Sequence, residues 1–425
     1  MAAPLSESQI AIVKATAPVL QQHGVIITTV FYENMLRENP ELHNIFSTTS
    51  QATGRQQRAL AGAVLGYATY IDDLGKLAHA VERIAHKHVS LQVTPAQYDI
   101  VGKYLIQAIG QVLGDAATPD IVDAWIAAYG VLAGVFINRE GDMYKANAAA
   151  NWAGWRKFKI VRKESESSVI TSFYLVPTDR GPLPKFFPGQ YVSLQLFVPE
   201  LGYLQSRQYS LSEGPTAKGE YYRISVKRED ADEAAVAGLI SNILHAKYAV
   251  GDEVELSHPQ GEFFVDPSDT AKEGVPAVLI SAGVGATPLK SILDSLTTAS
   301  GGGPPPTVKR PVSWIHSARS SAMQPFGDAI RQICRENEHV TANVFLRNLG
   351  PEDRAGVHYE FGDMRLDLAK LDKERHLFVG NDKAEYFICG PEQFMTDVRS
   401  ALIAMGVDKS RTFLELFATG DVVDA

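Results

Sequence analysis

From residue 6 to about residue 145, apolar side chains recur at intervals of three and four, with few β-branched runs and with Pro and Gly as punctuation. This spacing predicts an all-helical region. Ser6 with Gln9 reads as a capping box, and Thr94-Pro95 and Thr118-Pro119 each set a cap before a proline at the first helical position. Helices are therefore expected to start near residues 6, 95 and 119. From about 155 to 265 the period falls to two, in runs such as 158–161, 191–196 and 222–226 separated by Pro, Gly and Ser. That pattern predicts an antiparallel sheet closing into a small β-barrel. From residue 275 onward, fully apolar strands at 277–280, 312–315 and 386–388 alternate with helices beginning at Pro288, Phe326 and Glu392, the signature of an α/β doubly wound parallel sheet. The small, polar stretch 146–151 reads as a linker, and 301–306 as a surface loop inside the third region. The expected domains are 1–147, 152–268 and 272–425.

Within the helical region, His79, His86 and His88 crowd one segment, and the helical projection sorts them. Val81, Ile84, Ala85, His88 and Leu91 form an apolar stripe, whereas His79, Glu82, Arg83 and His86 share a polar face. Only His88 points inward, either as a satisfied core residue or as a metal ligand. Glu140 falls on the stripe of Trp125, Tyr129, Leu132 and Phe136, where an unpaired carboxylate would be costly. Tyr98 falls on the stripe of Val101, Leu105 and Ile109 with a phenol that needs a partner. A carboxylate and a phenol offered to one imidazole would fix its tautomer and raise its basicity. The alternative is that Glu140 ends a helix in solvent after Asn138-Arg139. Phe31-Tyr32, Phe46 and the stripe of Gln56, Leu60, Ala63, Val64 and Tyr67 would make an apolar pocket with two polar groups, suited to a diatomic ligand.

In the third region Gly283-Val-Gly285-Ala-Thr287-Pro288 follows a buried strand and opens a helix. Glycines in that context let a dinucleotide pyrophosphate approach the backbone, although a tight strand-to-helix turn has the same look. Arg319, where an acidic residue is usual, can serve a 2′-phosphate or lie in solvent. Arg207-Gln208-Tyr209-Ser210 puts Arg207 and Tyr209 on one face of a strand and Gln208 and Ser210 on the other. This set suits a flavin or an ordinary sheet surface. Gly238-Leu-Ile-Ser241, at an expected helix start, offers backbone N–H groups to a phosphate.

Composition narrows the partners. With 425 residues and roughly 150 per domain, two or three domains are expected, and 21% charged against 45% hydrophobic residues fits globular cores. The net charge of −9, without a basic block, argues against nucleic acid. Cys334 and Cys389 have no metal-site spacing and fit a reducing, cytoplasmic compartment. The N-terminal residues lack the form of an export signal, and no membrane span is expected.

Order along the chain carries more weight than any one motif. Pro188-Gly-Gln-Tyr191, the Arg-x-Tyr-Ser strand, Gly238 to Ser241, Gly-x-Gly-x-x-Pro, Cys389-Gly390-Pro391 and Phe417 together resemble the ferredoxin-reductase-like family of FAD and NAD(P)H domains. Pro40 to Phe46, Gln56, Lys87-His88, Tyr98 and Phe136 to Glu140 are similar to the globin domain of flavohaemoglobins, and both resemblances stand in that family's order. The resemblance implies haem b on His88 with Glu140 and Tyr98 behind it, and Tyr32, Gln56, Leu60 and Phe46 around the distal side. It also implies FAD on Tyr191, Arg207, Gln208, Tyr209, Ser210, Gly238 and Ser241. NAD(P)H would then lie on Gly283, Gly285, Thr287, Pro288, Cys389, Gly390 and Pro391, with Phe417 over the flavin. Phe417 precedes Ala418, where many members carry glycine. The implied activity is nitric oxide dioxygenase: electrons from NAD(P)H pass through FAD to haem, and NO and O2 become nitrate. A haem-based O2 or NO sensor or carrier, or a flavin-haem reductase with other acceptors, is the alternative. A monomer is expected, and a lipid in the distal pocket is allowed.

Overall fold

The capping box of Ser6 and Gln9 forms as the sequence predicts, with each side chain bonded to the other residue's backbone N–H, and it starts α1 (Glu7–Ala15). The computed structural model describes residues 4–216, 219–231, 237–297 and 306–417. The expected loop residues 301–305 and the segment after Phe417 lie outside them. Helices α2 (Ala17–Glu38), α3 (Thr48–Ala52), α4 (Arg55–Thr69), α5 (Ala78–Ser90), α6 (Pro95–Leu113) and α7 (Pro119–Ala149) complete the helical region. Thr94 and Gln97 make a second capping box ahead of Pro95, whereas Thr118 precedes Pro119 without a side-chain cap. The expected linker 146–151 is helical as far as Ala149, because its alanines favour continuing the helix.

Strands β1 (Arg156–Ser165), β2 (Ile170–Pro177), β3 (Tyr191–Val198), β4 (Tyr203–Ser210) and β5 (Tyr222–Lys227) precede α8 (Leu239–Lys247), and β6 (Glu253–Leu256) follows it. They form a six-stranded sheet in the order β4-β3-β6-β1-β2-β5, antiparallel in the pairs β1–β2 and β2–β5. The remainder alternates strand and helix: β7 (Ala277–Ala282), α9 (Ala286–Leu296), β8 (Val312–Ala318), α10 (Gly327–Glu336), β9 (Val340–Leu346), β10 (Phe361–Gly362), β11 (Glu385–Cys389), α11 (Glu392–Ala404) and β12 (Thr412–Glu415). The second sheet is parallel throughout, in the order β10-β9-β8-β7-β11-β12. Strand order therefore reverses between β7 and β11, and a crevice outside the carboxyl ends of these two strands is where such sheets take a ligand.

The chain divides into two compact units. The first comprises the helices through Arg156 together with Ser193–Arg207, from the β3–β4 hairpin; the second contains Lys157–Val192 and Gln208–Phe417. The first unit's main core packs Ile27, Phe31, Met35, Tyr67, Leu105 and Trp125, with the Trp125 indole donating to Thr16 at 3.2 Å. A separate core of Ala85, Val89, Tyr98, Ala133, Phe136 and Met143 surrounds α5. Among the described helices α7 is long and apolar enough to cross a membrane, and α1 with α2 would pass as one bent pair, yet α7 buries Trp125, Ala128, Phe136 and Glu140 in these helical cores. In the second unit, α9 and α10 bury Leu289, Ile292, Leu293, Ile330 and Ile333 on one face of the parallel sheet.

Candidate functional site

Helices α5, α6 and α7 bring three polar groups to one point. Ala85 and Val89 fix α5 against the core by burial, so His88 is turned toward α6 and α7. Its Nδ1 lies 2.8 Å from Glu140 Oε1 and 2.9 Å from the Tyr98 hydroxyl, and that hydroxyl donates to the same Glu140 oxygen at 2.6 Å. Glu140 is only 2% exposed, which removes the alternative of a solvated helix end. Tyr129 donates to the Tyr98 carbonyl at 2.6 Å, and Tyr98 stacks on Phe136, so the phenol is held from both ends. Burial, and then the Glu140 charge, raise the Tyr98 pKa far above the usual phenol value, so it stays a donor. With a carboxylate at Nδ1, the network assigns the proton there and leaves the Nε2 lone pair for a metal. One imidazole backed by a buried acid suits the role of a single protein ligand to haem iron. His86, by contrast, sits by Glu82, which Arg139 also clasps, so that pair belongs to the polar face.

Tyr32, Gln56 and Phe46 also come together. The Tyr32 phenol is buried and hydrogen-bonded to Gln56, and its ring meets Phe31 at 4.7 Å and Phe46 at 5.4 Å, both edge-on. Desolvation raises its pKa despite that hydrogen bond, so the group remains protonated. Leu60 is half-buried against the same core, and Tyr67 is turned away to donate to the Ala128 carbonyl at 2.8 Å.

In the second unit Ser210 is 5% exposed and its hydroxyl has no hydrogen-bond partner among the described residues, an orphan that a flavin ring nitrogen would satisfy. Gln208 and Tyr209 precede it on β4, half-buried, and Tyr191 is bonded through its backbone to Gln260. Gly238 caps α8, where a Cβ would meet Ser241 Oγ at 2.7 Å and Glu229 Cβ at 2.8 Å, so the chain needs glycine to bring a bare helix N-terminus here. Arg207, in the first unit, donates to the Ser206 carbonyl at 2.7 Å and to Thr49 Oγ1 at 3.2 Å.

The strand-order reversal carries the remaining residues. The turn Gly283–Gly285 ends β7, and Cys389 ends β11 in register with Ser281. A Cβ on Gly285 would lie 2.2 Å from the Cys389 carbonyl oxygen, so only glycine lets the two strand ends close on each other. Thr287 caps locally by donating to the Val284 carbonyl at 2.9 Å, and Pro288 is buried behind it. Gly390 follows, and Pro391 caps α11. Cys389 is fully buried, and its thiol pKa is driven well up by desolvation, so it is a packing residue and not a nucleophile. Phe417 is 44% exposed, and Arg319 lies in solvent just past β8. The bare turn at the switch point fits a dinucleotide.

Sequence reasoning missed several polar groups. His316 on β8 is wholly buried, and its Nδ1 lies 2.8 Å from Ser281 Oγ. Gln205 and the pair Ser90–Ser193 are buried as well. For His316, Gln205 and Ser193 the available signal was a polar residue at the inward step of a strand's alternation, whereas Ser90 ends helix α5.

A globin family model matches residues 29–136, and an oxidoreductase NAD-binding domain model matches residues 279–400. The chain is 46% identical over 420 residues to a flavohemoprotein of Bordetella pertussis, covering 98% of this chain and 100% of that one. It is 44% identical over 408 residues to a flavohemoprotein of Rhizobium meliloti, covering 96% of each. Among solved structures, flavohemoglobin from Malassezia yamatoensis with bound FAD and heme superposes with a TM-score of 0.82 at 32% identity, covering 98% of this chain and 100% of that one. The flavohem-like FAD/NAD binding domain of nitric oxide dioxygenase from Vibrio cholerae matches 62% of this chain and 98% of its own, at 34% identity and a TM-score of 0.51.

Proposed function

The chain belongs to the flavohaemoprotein family, and from that premise we propose that it is an NAD(P)H-dependent nitric oxide dioxygenase acting on NO and O2. When bound, NAD(P)H would supply hydride, FAD the conversion from two-electron to one-electron chemistry, and haem the iron at which NO and O2 react. The chain's own residues do the holding and the shaping. His88 offers Nε2 to the iron, while Glu140 and Tyr98 keep the proton on Nδ1 and make the imidazole a stronger donor. Tyr32, oriented by Gln56, keeps an O–H aimed from an apolar wall of Phe31, Phe46 and Leu60, ready to stabilise negative charge developing on a diatomic substrate. Ser210, with Gln208, Tyr209 and Tyr191, receives the flavin ring, while Arg207 and the Gly238–Ser241 helix start receive its phosphates. Gly283, Gly285, Thr287, Pro288, Cys389, Gly390 and Pro391 seat the nicotinamide dinucleotide, and Phe417 covers the flavin. Three domains at 1–147, 152–268 and 272–425 divide this labour.

The observation that carries the reading is the spending of a buried carboxylate and a buried phenol on one imidazole nitrogen. A core histidine needs one modest partner; two anionic or dipolar groups at Nδ1 serve a ligand at Nε2. A monomeric, cytoplasmic enzyme is part of the proposal, and the two free cysteines suit a reducing compartment. The distal wall is apolar enough to take a lipid chain. Stopped-flow mixing of the oxygenated, NAD(P)H-reduced protein with NO tests the function: rapid stoichiometric nitrate is expected. Slow decay with NO retained on the protein would point to a sensor or carrier.

A further inference from the structure

Helix α9, within the second unit, carries Lys290, Ser291 and Asp294, residue types that a surface helix leaves in water, yet all three are buried. Lys290 donates to Asp294 Oδ1 at 2.6 Å, so the two charges meet within the helix. The segment after β4 covers them. The Ser291 hydroxyl donates to the Glu213 carbonyl at 3.1 Å, and the Gly214 N–H donates to Asp294 Oδ2 at 3.4 Å. That carbonyl and that N–H belong to one peptide group, gripped at both ends by side chains three residues apart on the helix. A Cβ on Gly214 would lie 3.1 Å from Asp294 Cβ and 3.3 Å from the Ser291 carbonyl oxygen, so glycine permits the approach. The Glu213 side chain ties the same turn to β5 and its neighbours. Its Oε1 accepts from the Tyr221 hydroxyl at 3.1 Å, and its Oε2 lies 3.9 Å from Arg223, which donates to Ser172 and pairs with Glu166. Phe326, held ahead of α10 at φ +61°, a conformation costly for a bulky residue, sets its ring 5.1 Å from the Arg223 guanidinium and 5.9 Å from Lys290 Nζ.

We propose that Ser291 and Asp294 are positioning residues for hydride transfer from nucleotide to flavin. This inference rests on the function proposed above, and the residues it joins all lie in the second unit. Glu213 is three residues beyond Ser210, the residue proposed to face the flavin ring, and Ser291 is one helical turn beyond Thr287, in the helix that opens at the nucleotide turn. Strand β5 also packs against that turn, Gly283–Gly285. The gripped peptide therefore sets the spacing between the end of β4 and the start of α9. Hydride transfer breaks one C–H bond of the dihydronicotinamide and carries its electron pair to the flavin, oxidising the nucleotide by two electrons and reducing the flavin by two. A misplacement of about 1 Å can cost such a step about 100-fold in rate. A buried charge pair is a poor source of stability, because desolvation offsets most of the attraction. Its use here is directional: apolar faces can slide past each other, whereas a peptide held at both its N–H and its C=O cannot.

The test uses the full-length holoprotein with Ser291→Ala, which releases the Glu213 carbonyl, and Gly214→Ala, which wedges a methyl group against Asp294 without altering a residue assigned to either cofactor. Each is mixed anaerobically with increasing NADH or NADPH while flavin reduction is followed. Flavin and haem content should match wild type. The limiting rate of flavin reduction should fall about tenfold, while the nucleotide concentration giving half that rate stays within about twofold of wild type. A seat loosened only for binding would raise that concentration and spare the limiting rate. Independently of activity, hydrogen exchange at the Gly214 amide should accelerate in cofactor-free Ser291→Ala. If Gly214→Ala fails to fold, Ser291→Ala, which deletes one hydroxyl, carries the same comparison. A wild-type limiting rate in a folded variant, with or without a raised half-saturating concentration, overturns the proposal, as does unchanged exchange at Gly214. Failure of both NADH and NADPH to reduce the flavin of the wild-type protein would instead overturn the function on which it rests.

Discussion

One oxygen of Glu140 serves both His88 Nδ1, at 2.8 Å, and the Tyr98 hydroxyl, at 2.6 Å, so the imidazole and the phenol compete for a single buried acceptor. Glu140→Gln preserves volume but removes the charge that favours electron donation by His88. The expected outcome is retained haem, a lowered iron–histidine stretching frequency and NO turnover reduced about 10–100-fold, the range for partners of metal-bound histidines. An unshifted frequency would remove Glu140 from the proximal role. As the companion change, His88→Ala should abolish the Soret band while leaving flavin absorbance and dye reduction largely intact.

Tyr32 gives the distal counterpart. Burial holds its phenol protonated well past the usual value, so no ionisation of Tyr32 should appear in NO turnover up to about pH 10, the unperturbed phenol value. Tyr32→Phe removes the donor and leaves the ring packing on Phe46. Oxygen dissociation should accelerate and NO turnover fall about tenfold or more, the scale of losing one preorganised donor. Equal kinetics in wild type and Tyr32→Phe would take the phenol out of the mechanism.

How much of this was legible beforehand follows from periodicity. His88, Tyr98 and Glu140 each sit on a helical stripe, so a count of three and four turned His88 and Tyr98 inward and left Glu140 either buried or at a solvated helix end, and the structure joins all three at one nitrogen. The strand starts and helix starts of the parallel sheet follow from apolar runs ended by glycine or proline. What escaped is tertiary: nothing local tells Gln205 that its partners are 157 to 162 residues away, nor that Ser193–Arg207 packs with the helices. The alanines at 146–149 were misleading in the other direction, because a small-residue stretch between domains is also a good helix.

Ser210 allows a test in which stability and binding move apart. Its buried hydroxyl lacks a partner among the described residues, and such a group costs about 1–3 kcal/mol when left unsatisfied. Ser210→Ala should therefore leave the FAD-free protein at least as resistant to urea as wild type, yet weaken FAD retention measured by flavin fluorescence during dialysis. A destabilised apoprotein that still holds FAD would contradict a flavin-facing Ser210.

At Gly285 the clash is with backbone, 2.2 Å from the Cys389 carbonyl oxygen, so no rotamer can relieve it. Gly285→Ala should cost about 3 kcal/mol, at the upper end of ordinary overpacking, and should raise the KM for NAD(P)H, with the Soret band unaffected. Wild-type urea resistance together with an unchanged KM would mean that the two strand ends do not form the nucleotide crevice.

His316 sets the last expectation, one of pH. Full burial beside Trp314, with the Ser281 hydroxyl at Nδ1, depresses its pKa to about 4. The unfolded chain, near the ordinary value of about 6.5, takes up the proton first as pH falls. The stability that comes from keeping this imidazole neutral is thus fully present above about pH 6.5 and is lost as pH drops toward about 4, at about 1.4 kcal/mol per pH unit. His316→Asn keeps a polar atom for Ser281 without a titrating group. Between pH 6.5 and 5, urea-unfolding free energies of the wild-type protein should therefore fall about 2 kcal/mol more than those of the variant. Parallel pH profiles for the two proteins would show that His316 is reached by solvent or paired before it titrates.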